Sequence, residues 1–269
     1  MEKMDQASFR KEHRSRNLGL LTEEEQMKIN NTTLLIAGCG VGSQIALSAV
    51  RIGFENFILV DGDTVELSNN NRQGYSWRDV GRYKVDALAH KIKAINPHAH
   101  IRKYPIFITV DNAAKISRKA DIVVDSIDPD AAQAVIALHR AAKQFHHTVI
   151  QPTDVGWGAM LQIFTPESIS YEEMIGLNPR TPLDKIDNEE AFTKFIDFFM
   201  KLMPPYVQKV ALDVAEGRQA HYPQPISASY ILAAMTVVAA KRVALDLPVK
   251  VAPEYVSFDP NTILIPDEK

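Results

Sequence analysis

Residues 34–63 read LLIAGCGVGSQIALSAVRIGFENFILVDGD, and this stretch decides the fold. Leu34–Ala37 is a short apolar run of the length of a buried strand. Gly38, Gly40 and Gly42 follow directly, and Ser43 to Ile52 carries apolar residues at helical spacing. A tight turn that opens a helix gathers free backbone N–H groups and the positive helix end at one point, which suits a phosphate. The next strand, Phe57–Val60, ends on Asp61, where a carboxylate can accept hydrogen bonds from ribose hydroxyls. Together these imply a nucleotide site.

The glycine turn alone does not separate a nicotinamide or flavin enzyme from other nucleotide binders, and Ser43 stands where the third glycine of the dinucleotide pattern would be. The following residues are more selective. GDTVELSNNNRQ (62–73) places Asp63, Asn69, Arg72 and Gln73 just past the strand end, and VGRYK (80–84) brings Lys84. A dinucleotide dehydrogenase holds its pyrophosphate with backbone and needs no cations there. An enzyme that cleaves between the α- and β-phosphates does, because fixed Arg and Lys groups stabilise charge on the leaving pyrophosphate.

With these residues in place, the chain resembles the ubiquitin-activating and ThiF/MoeB/HesA-like adenylyltransferases, from about Arg14 to Phe164 and more weakly from Ile226 to Phe258. The family's aspartates, Ser-Asn and Asn-Arg-Gln are matched by Asp61, Asp63, Ser68, Asn69, Asn71, Arg72 and Gln73, and its downstream lysine by Lys84. Its second strand-end carboxylate corresponds to DIVVDSIDPD (121–130), which makes Asp128 the expected magnesium ligand. Its N-terminal arginine pair resembles HRSRN (13–17), with Arg16 in the position that reaches into a neighbouring subunit's nucleotide site. The resemblance implies a Rossmann-like, doubly wound α/β fold, ATP and Mg2+ as cofactors, and a homodimer. It also implies acyl-adenylate formation on a ubiquitin-like carrier, a peptide or a tRNA-linked carboxyl. Arg72, Lys84, Asp128 and Arg16 are then the expected catalytic set. Gly38, Gly40, Gly42, Asp61, Asp63 and Asn69, with Arg72 and Lys84, are the expected nucleotide ligands.

Three departures from the family pattern stand out. Two glycines of its turn are Ala37 and Cys39 here. The chain has a single cysteine, so the two Cys-x-x-Cys pairs that hold zinc in many members cannot exist and no zinc is expected. No cysteine lies between Asp154 and Lys269, so no thioester is expected on the crossover segment.

The 269 residues carry a formal net charge of −3, which gives no basic field for nucleic acid, and the single cysteine excludes an internal disulfide. No uninterrupted apolar run approaches 18 residues and the charged N-terminus lacks a signal-peptide core, so a cytoplasmic protein without membrane contact is the expectation. Residues 1–30 read as helical, with Thr22 as an N-cap, and 31–165 as the nucleotide-binding unit. Within that unit Lys84–Ile95 and Asp130–Gln144 are expected helices, with Asp130 the expected N-cap of the second. Ile101–Ile106, Ile122–Asp125, Thr148–Gln151 and Met160–Phe164 are expected strands. Residues 166–225 hold seven prolines and one amphipathic segment, Asn188–Met203, and read as a partly helical excursion over the site. Residues 226–269 supply an apolar helix, Ile226–Leu245, and a closing hairpin of Tyr255–Phe258 with Thr262–Ile265.

Blander roles compete for several residues. Asp61 could be only a turn former, Arg72 and Lys84 surface charges, and Arg16 part of a charged helix. Cys39 at a helix N-terminus suggests a nucleophile, but a small buried residue in the turn is the better reading. His146 and His147 point to opposite faces as strand neighbours, which argues against a shared metal. PTDVGWGAM (152–160) either lines an acceptor pocket or bends with Trp157 in the core. A NAD-dependent oxidoreductase and a non-catalytic activating-enzyme-like subunit are the alternatives to adenylation.

Overall fold

A computed structural model of the chain describes residues 4–264. Two short helices come first. In α1 (Gln6–His13) the Asp5 carboxylate accepts the Ala7 and Ser8 N–H groups. In α2 (Glu23–Asn31) Thr22 and Glu25 form the reciprocal cap expected from Thr22 followed by three glutamates. Then follow β1 (Thr33–Ala37), α3 (Gly42–Ile52), β2 (Asn56–Val60), α4 (Lys84–Ile95), β3 (His100–Tyr104) and α5 (Ala113–Ser117). The second half holds β4 (Ile122–Asp125), α6 (Ala132–Gln144), β5 (Thr148–Val155), β6 (Gly158–Phe164), α7 (Tyr171–Ile175), α8 (Asn188–Met200), α9 (Pro205–Ala215), α10 (Ile226–Ala244), β7 (Tyr255–Phe258) and α11 (Pro260–Ile263).

The strands form one seven-stranded sheet in the order β3-β2-β1-β4-β5-β6-β7. From β3 to β5 all neighbours are parallel, and β6 and β7 add antiparallel pairings at the far edge. This is the Rossmann-like, mostly parallel sheet expected from the sequence. Its central strands are apolar on both faces because helices cover both. Leu34, Ile36, Phe57, Leu59, Ile122 and Val124 pack with α3, α4 and α10. Leu35, Ala37, Ile58, Val60, Val123 and Val149 pack with α5, α6, α7 and α8. The order reverses between β1 and β4, so a crevice opens at the carboxyl ends of these two strands.

Several elements differ from the sequence reading. The expected hairpin is absent: β7 pairs with β6, and Pro260–Ile263 is a single helical turn capped by Asp259, which accepts the Asn261 N–H. Pro260 in the first turn of a helix has no N–H to lose, which the hairpin reading overlooked; Ile265 lies outside the described residues. Asp130 does not cap α6; that helix starts at Ala132 after Ala131, with no side-chain cap. The strand expected at Ile101–Ile106 is His100–Tyr104, and the one expected at Thr148–Gln151 continues to Val155. Segment 152–160 is therefore strand, two-residue turn and strand, with Gly156 and Trp157 at the turn and Trp157 half exposed rather than in the core. The proline-rich excursion holds α7, α8 and α9, and packs Tyr171, Ile175, Phe195, Phe199 and Val207 into the second core. Among the described residues one helix, α10, is long and apolar enough to cross a membrane; it packs against β5, β6 and α3, with Ala228, Ser229, Leu232, Ala233 and Thr236 buried.

Candidate active site

Gly38 makes the glycine turn possible. Its φ is +86°, and a Cβ built there would overlap the Ser126 carbonyl oxygen and stand 2.6 Å from the carbonyl carbon. The ends of β1 and β4 can approach only because neither constraint applies to glycine. The Gly38 N–H donates to the Val60 carbonyl at 2.9 Å, and the Cys39 N–H to the Asp61 carboxylate at 2.7 Å, so the turn is tied to the end of β2. Ser43 strengthens the turn. Its hydroxyl donates to the Gly40 carbonyl at 2.5 Å and accepts the Gly74 N–H at 2.8 Å, stitching the helix start to the Asn-Arg-Gln loop. Tyr75, unnoticed in the sequence, donates its hydroxyl to the Cys39 carbonyl at 2.7 Å. Cys39 itself is fully buried, and burial followed by the nearby Asp61 charge pushes its thiol well up, so it is no nucleophile at neutral pH.

Asp61, Asp63 and Lys84 converge beside the turn. Lys84 Nζ lies 2.8 Å from Asp63 Oδ2 and 4.0 Å from Asp61 Oδ2, and Lys84 is buried although it opens α4. Asp61 also accepts the Asp63 N–H at 2.8 Å. Burial nevertheless lifts the Asp61 carboxyl above its ordinary value, outweighing Lys84 and two backbone donors. Asp128 stands at the rim after β4, exposed to water yet crowded by protein. That crowding, then the negative charge of Asp130, hold its carboxyl above the usual range against the pull of Lys84; Asp63 and Asp61 add to the shift. The predicted ribose carboxylate, phosphate lysine and metal carboxylate thus share one electrostatic neighbourhood.

The loop bearing Asn69 and Arg72 is a one-turn helix, Leu67–Asn71. Asn69 is buried, and its side-chain oxygen accepts the Glu66 N–H at 2.9 Å, so it shapes the loop. Arg72 donates to the Ser68 carbonyl at 3.1 Å and to Asn71 Oδ1 at 3.0 Å, while its buried Nε has no partner. Asn70 Oδ1, Gln73 Oε1, Ser126 Oγ and Asp154 Oδ1 are buried without partners as well. Orphaned polar atoms are costly in a finished interior; residues of the β2, β4 and β5 ends carrying them together fit a polar ligand.

Behind Asp128, a buried pair steadies its loop. Asp125 accepts from His139 Nε2 at 3.0 Å, and its other oxygen accepts the Ile127 N–H at 3.2 Å. Sequence gave no sign of His139, which lies mid-helix on α6. At the far side, Tyr206 on α9 accepts the Trp157 N–H at 3.0 Å and donates to Asp259 at 2.7 Å, joining the excursion to the β5–β6 turn. A Cβ on Gly156 would meet Val207 Cγ2 at 2.6 Å, which explains glycine in this turn. Among the sequence-predicted residues, Arg16 stands apart. It is exposed on the turn after α1 and makes no ion pair among the described residues. His146 and His147 belong to no metal-binding group among the described residues.

The sequence pattern of the ThiF family matches residues 13–265. Similar proteins include the adenylyltransferase and sulfurtransferase uba4 of Aspergillus clavatus, 36% identical over 114 residues, which are 42% of this chain and 23% of that protein. The sulfur carrier protein adenylyltransferase of Thermus thermophilus is 32% identical over 118 residues, 43% of this chain and 44% of that protein. The matched part is thus under half the length of these relatives. Among solved structures, PaaA superposes with TM-score 0.68 at 19% identity, over 96% of this chain and 84% of that one. Escherichia coli MccB with ATP gives 0.63 at 19%, over 87% and 65%. The E. coli tRNA N6-threonylcarbamoyladenosine dehydratase TcdA with ATP gives 0.52 at 25%, over 57% and 63%. With the family pattern running over nearly the whole chain, the protein belongs to the ThiF family.

Proposed function

We propose that this protein activates a carboxylate by ATP-dependent adenylation, releasing pyrophosphate. The observation that carries the reading is the convergence of Lys84, Asp61 and Asp63 beside the glycine turn, with Arg72 and its unpartnered Nε on the adjoining loop. A nicotinamide oxidoreductase would use the turn and Asp61 but has no work for two cations.

The glycine turn and Arg72 would hold the phosphates and Asp61 the ribose. A substrate carboxylate oxygen attacks the α-phosphorus, the bond to the β-phosphate oxygen breaks, and pyrophosphate leaves with both electrons. Lys84, buried and fixed by two acids, would stabilise the charge that accumulates on the leaving group. Asp128 fits magnesium as a hard oxygen donor. That suits an ion bound through one or two carboxylates together with substrate phosphates. Magnesium bound there would offset phosphate charge.

Relatives supply a range of substrates: a sulfur carrier protein for the Thermus enzyme and a tRNA for TcdA. With no cysteine after Cys39, the acyl group would pass to an external nucleophile or react within its own substrate, without an enzyme thioester. ATP–pyrophosphate exchange over a panel of carrier C-termini, peptides and small carboxylates tests the reading, with parallel calorimetry of ATP and NAD. Exchange with at least one class is expected; tight NAD binding with ATP excluded would overturn it.

We also read the protein as a homodimer. The outer face of α10 exposes Ile226, Tyr230 and Val238, and Arg16 projects from the N-terminal turn. In a C2 dimer one arm and one helix face serve both chains. Mixing Arg16→Ala with Lys84→Ala subunits is expected to restore partial exchange through one intact site. A monomer by light scattering at micromolar concentration, or no recovery after verified subunit exchange, defeats this reading.

A further inference from the structure

Asp154 is a buried carboxylate that the adenylation step does not use. It lies on β5, which runs four residues, Pro152 to Val155, beyond the Gln151 position level with the end of β4. Each residue advances about 3.3 Å, so Asp154 stands roughly 10 Å past the β4 end, on the side where the nucleotide crevice opens. Three strand spacings separate the β2 and β5 ends, roughly 14 Å, comparable to a nucleotide lying across them. With Asp61 at one end of that span, Asp154 marks the other.

The surroundings are those of a small polar subsite. Asp154 is 8% exposed; Ser229 Oγ lies 3.4 Å from one oxygen, and the other oxygen has no partner. A buried carboxylate oxygen left without a partner matches a group that donates hydrogen bonds. An ammonium or amine does this, and a thiolate or phosphate does not, because a buried carboxylate repels it.

We propose that Asp154 receives the amine acceptor of the second half-reaction and takes its proton as it attacks the acyl-adenylate. This rests on the adenylation reading. The amine nitrogen forms a bond to the acyl carbon, the bond from that carbon to the AMP phosphate oxygen breaks, and AMP leaves with both electrons. The proton lost by the nitrogen passes to Asp154 Oδ1. No oxidant or further reactant is needed. Arg72 bears on Asp154 electrostatically, which ties this subsite to the phosphate side of the crevice.

The chemistry of the carboxyl fits the task. Burial, opposed by Ser229 and Arg72, pushes it up to about 7, the range that suits a general base at neutral pH. The groups around it do not titrate there. Tyr222 on the segment before α10 and Tyr206 on α9 are each pushed up to about 12, and the Tyr206 hydroxyl donates to Asp259. A rate limited by this step therefore rises with pH through about 7 and levels above it.

The test uses the full-length protein and whichever carboxylate supports ATP–pyrophosphate exchange. The acyl-adenylate is challenged with glycinamide or with dithiothreitol, and adducts are counted by mass spectrometry as a ratio to exchange in the same variant. Wild type is expected to prefer the amine. Asp154→Asn should lower the amine-to-exchange ratio about 100-fold and flatten its pH profile, and Asp154→Glu should restore part of it. Equal ratios in wild type and Asp154→Asn, or a preference for the thiol, overturn the proposal while leaving adenylation standing. No exchange in wild type removes both.

Discussion

Asp128→Ala is expected to lower ATP–pyrophosphate exchange by at least about 1,000-fold while the protein stays folded. The size follows from the task assigned to the carboxylate. A metal ion that offsets phosphate charge is worth several kcal/mol to the transition state, and about 1.4 kcal/mol is a factor of ten. The folding half follows from position. Asp128 is exposed past the end of β4, and its hydrogen bond among the described residues, its carbonyl accepting the Ala131 N–H at 3.0 Å, belongs to the backbone and survives the change. Exposed substitutions of this kind move stability by about 0.5 kcal/mol or less. Removal of a negative charge beside Asp130, Asp63 and Asp61 also relieves repulsion, since those neighbours hold the Asp128 carboxyl above its usual range. The thermal midpoint without nucleotide should therefore be unchanged or slightly higher. Exchange at near wild-type rates in submillimolar magnesium would show that Asp128 is not the metal carboxylate.

The sequence made the centre of this site legible because it is local. Gly38, Gly40, Gly42 and Asp61 lie within 24 residues, and the strand–turn–helix–strand pattern places them at one edge by geometry alone. Lys84 is legible through its place in the family pattern, and the structure supplies what the pattern cannot: its burial, held between Asp61 and Asp63. Ser43 read as a weakening of the glycine pattern, whereas its hydroxyl clamps the turn to Gly74. A lone serine carries no signal of that kind, because its partner is 31 residues away. The same holds for Asp125 with His139, and for Tyr206 with Asp259 across 53 residues. The C-terminal end was misread for a different reason. Asp259-Pro260-Asn261 is a turn signal in isolation, but Asp259 accepts the Asn261 N–H and Pro260 starts a helical turn. Tyr255–Phe258 then finds its partner in β6, nearly a hundred residues earlier, which no local pattern announces.

Gly38→Ala is expected to cost about 4 kcal/mol of folding stability and to abolish measurable ATP binding, whereas Gly81→Ala should cost about 1 kcal/mol. The two glycines share a backbone conformation, φ +86° and +85°, so the strain of placing an L residue there is common to both. They differ in surroundings. Around Gly81 nothing lies within 4 Å of a built Cβ, so only backbone strain is incurred. At Gly38 the Cβ would overlap the Ser126 carbonyl oxygen and crowd the Ile127 nitrogen at 3.1 Å. Both are backbone atoms, and neither can swing away as a side chain would. The ends of β1 and β4 must part, and overpacking of this kind adds about 1–3 kcal/mol to the strain. That total is a large share of the 5–15 kcal/mol that holds a domain folded. Function suffers beyond stability, because the gap would open at the reversal of strand order, under the phosphates, and would displace the Ser126–Asp128 loop. Urea unfolding of both variants, with ATP calorimetry on the fraction that stays folded, separates strain from steric overlap. Equal losses in the two variants would mean that Gly38 is required for its φ alone and that the close approach of β1 to β4 contributes nothing.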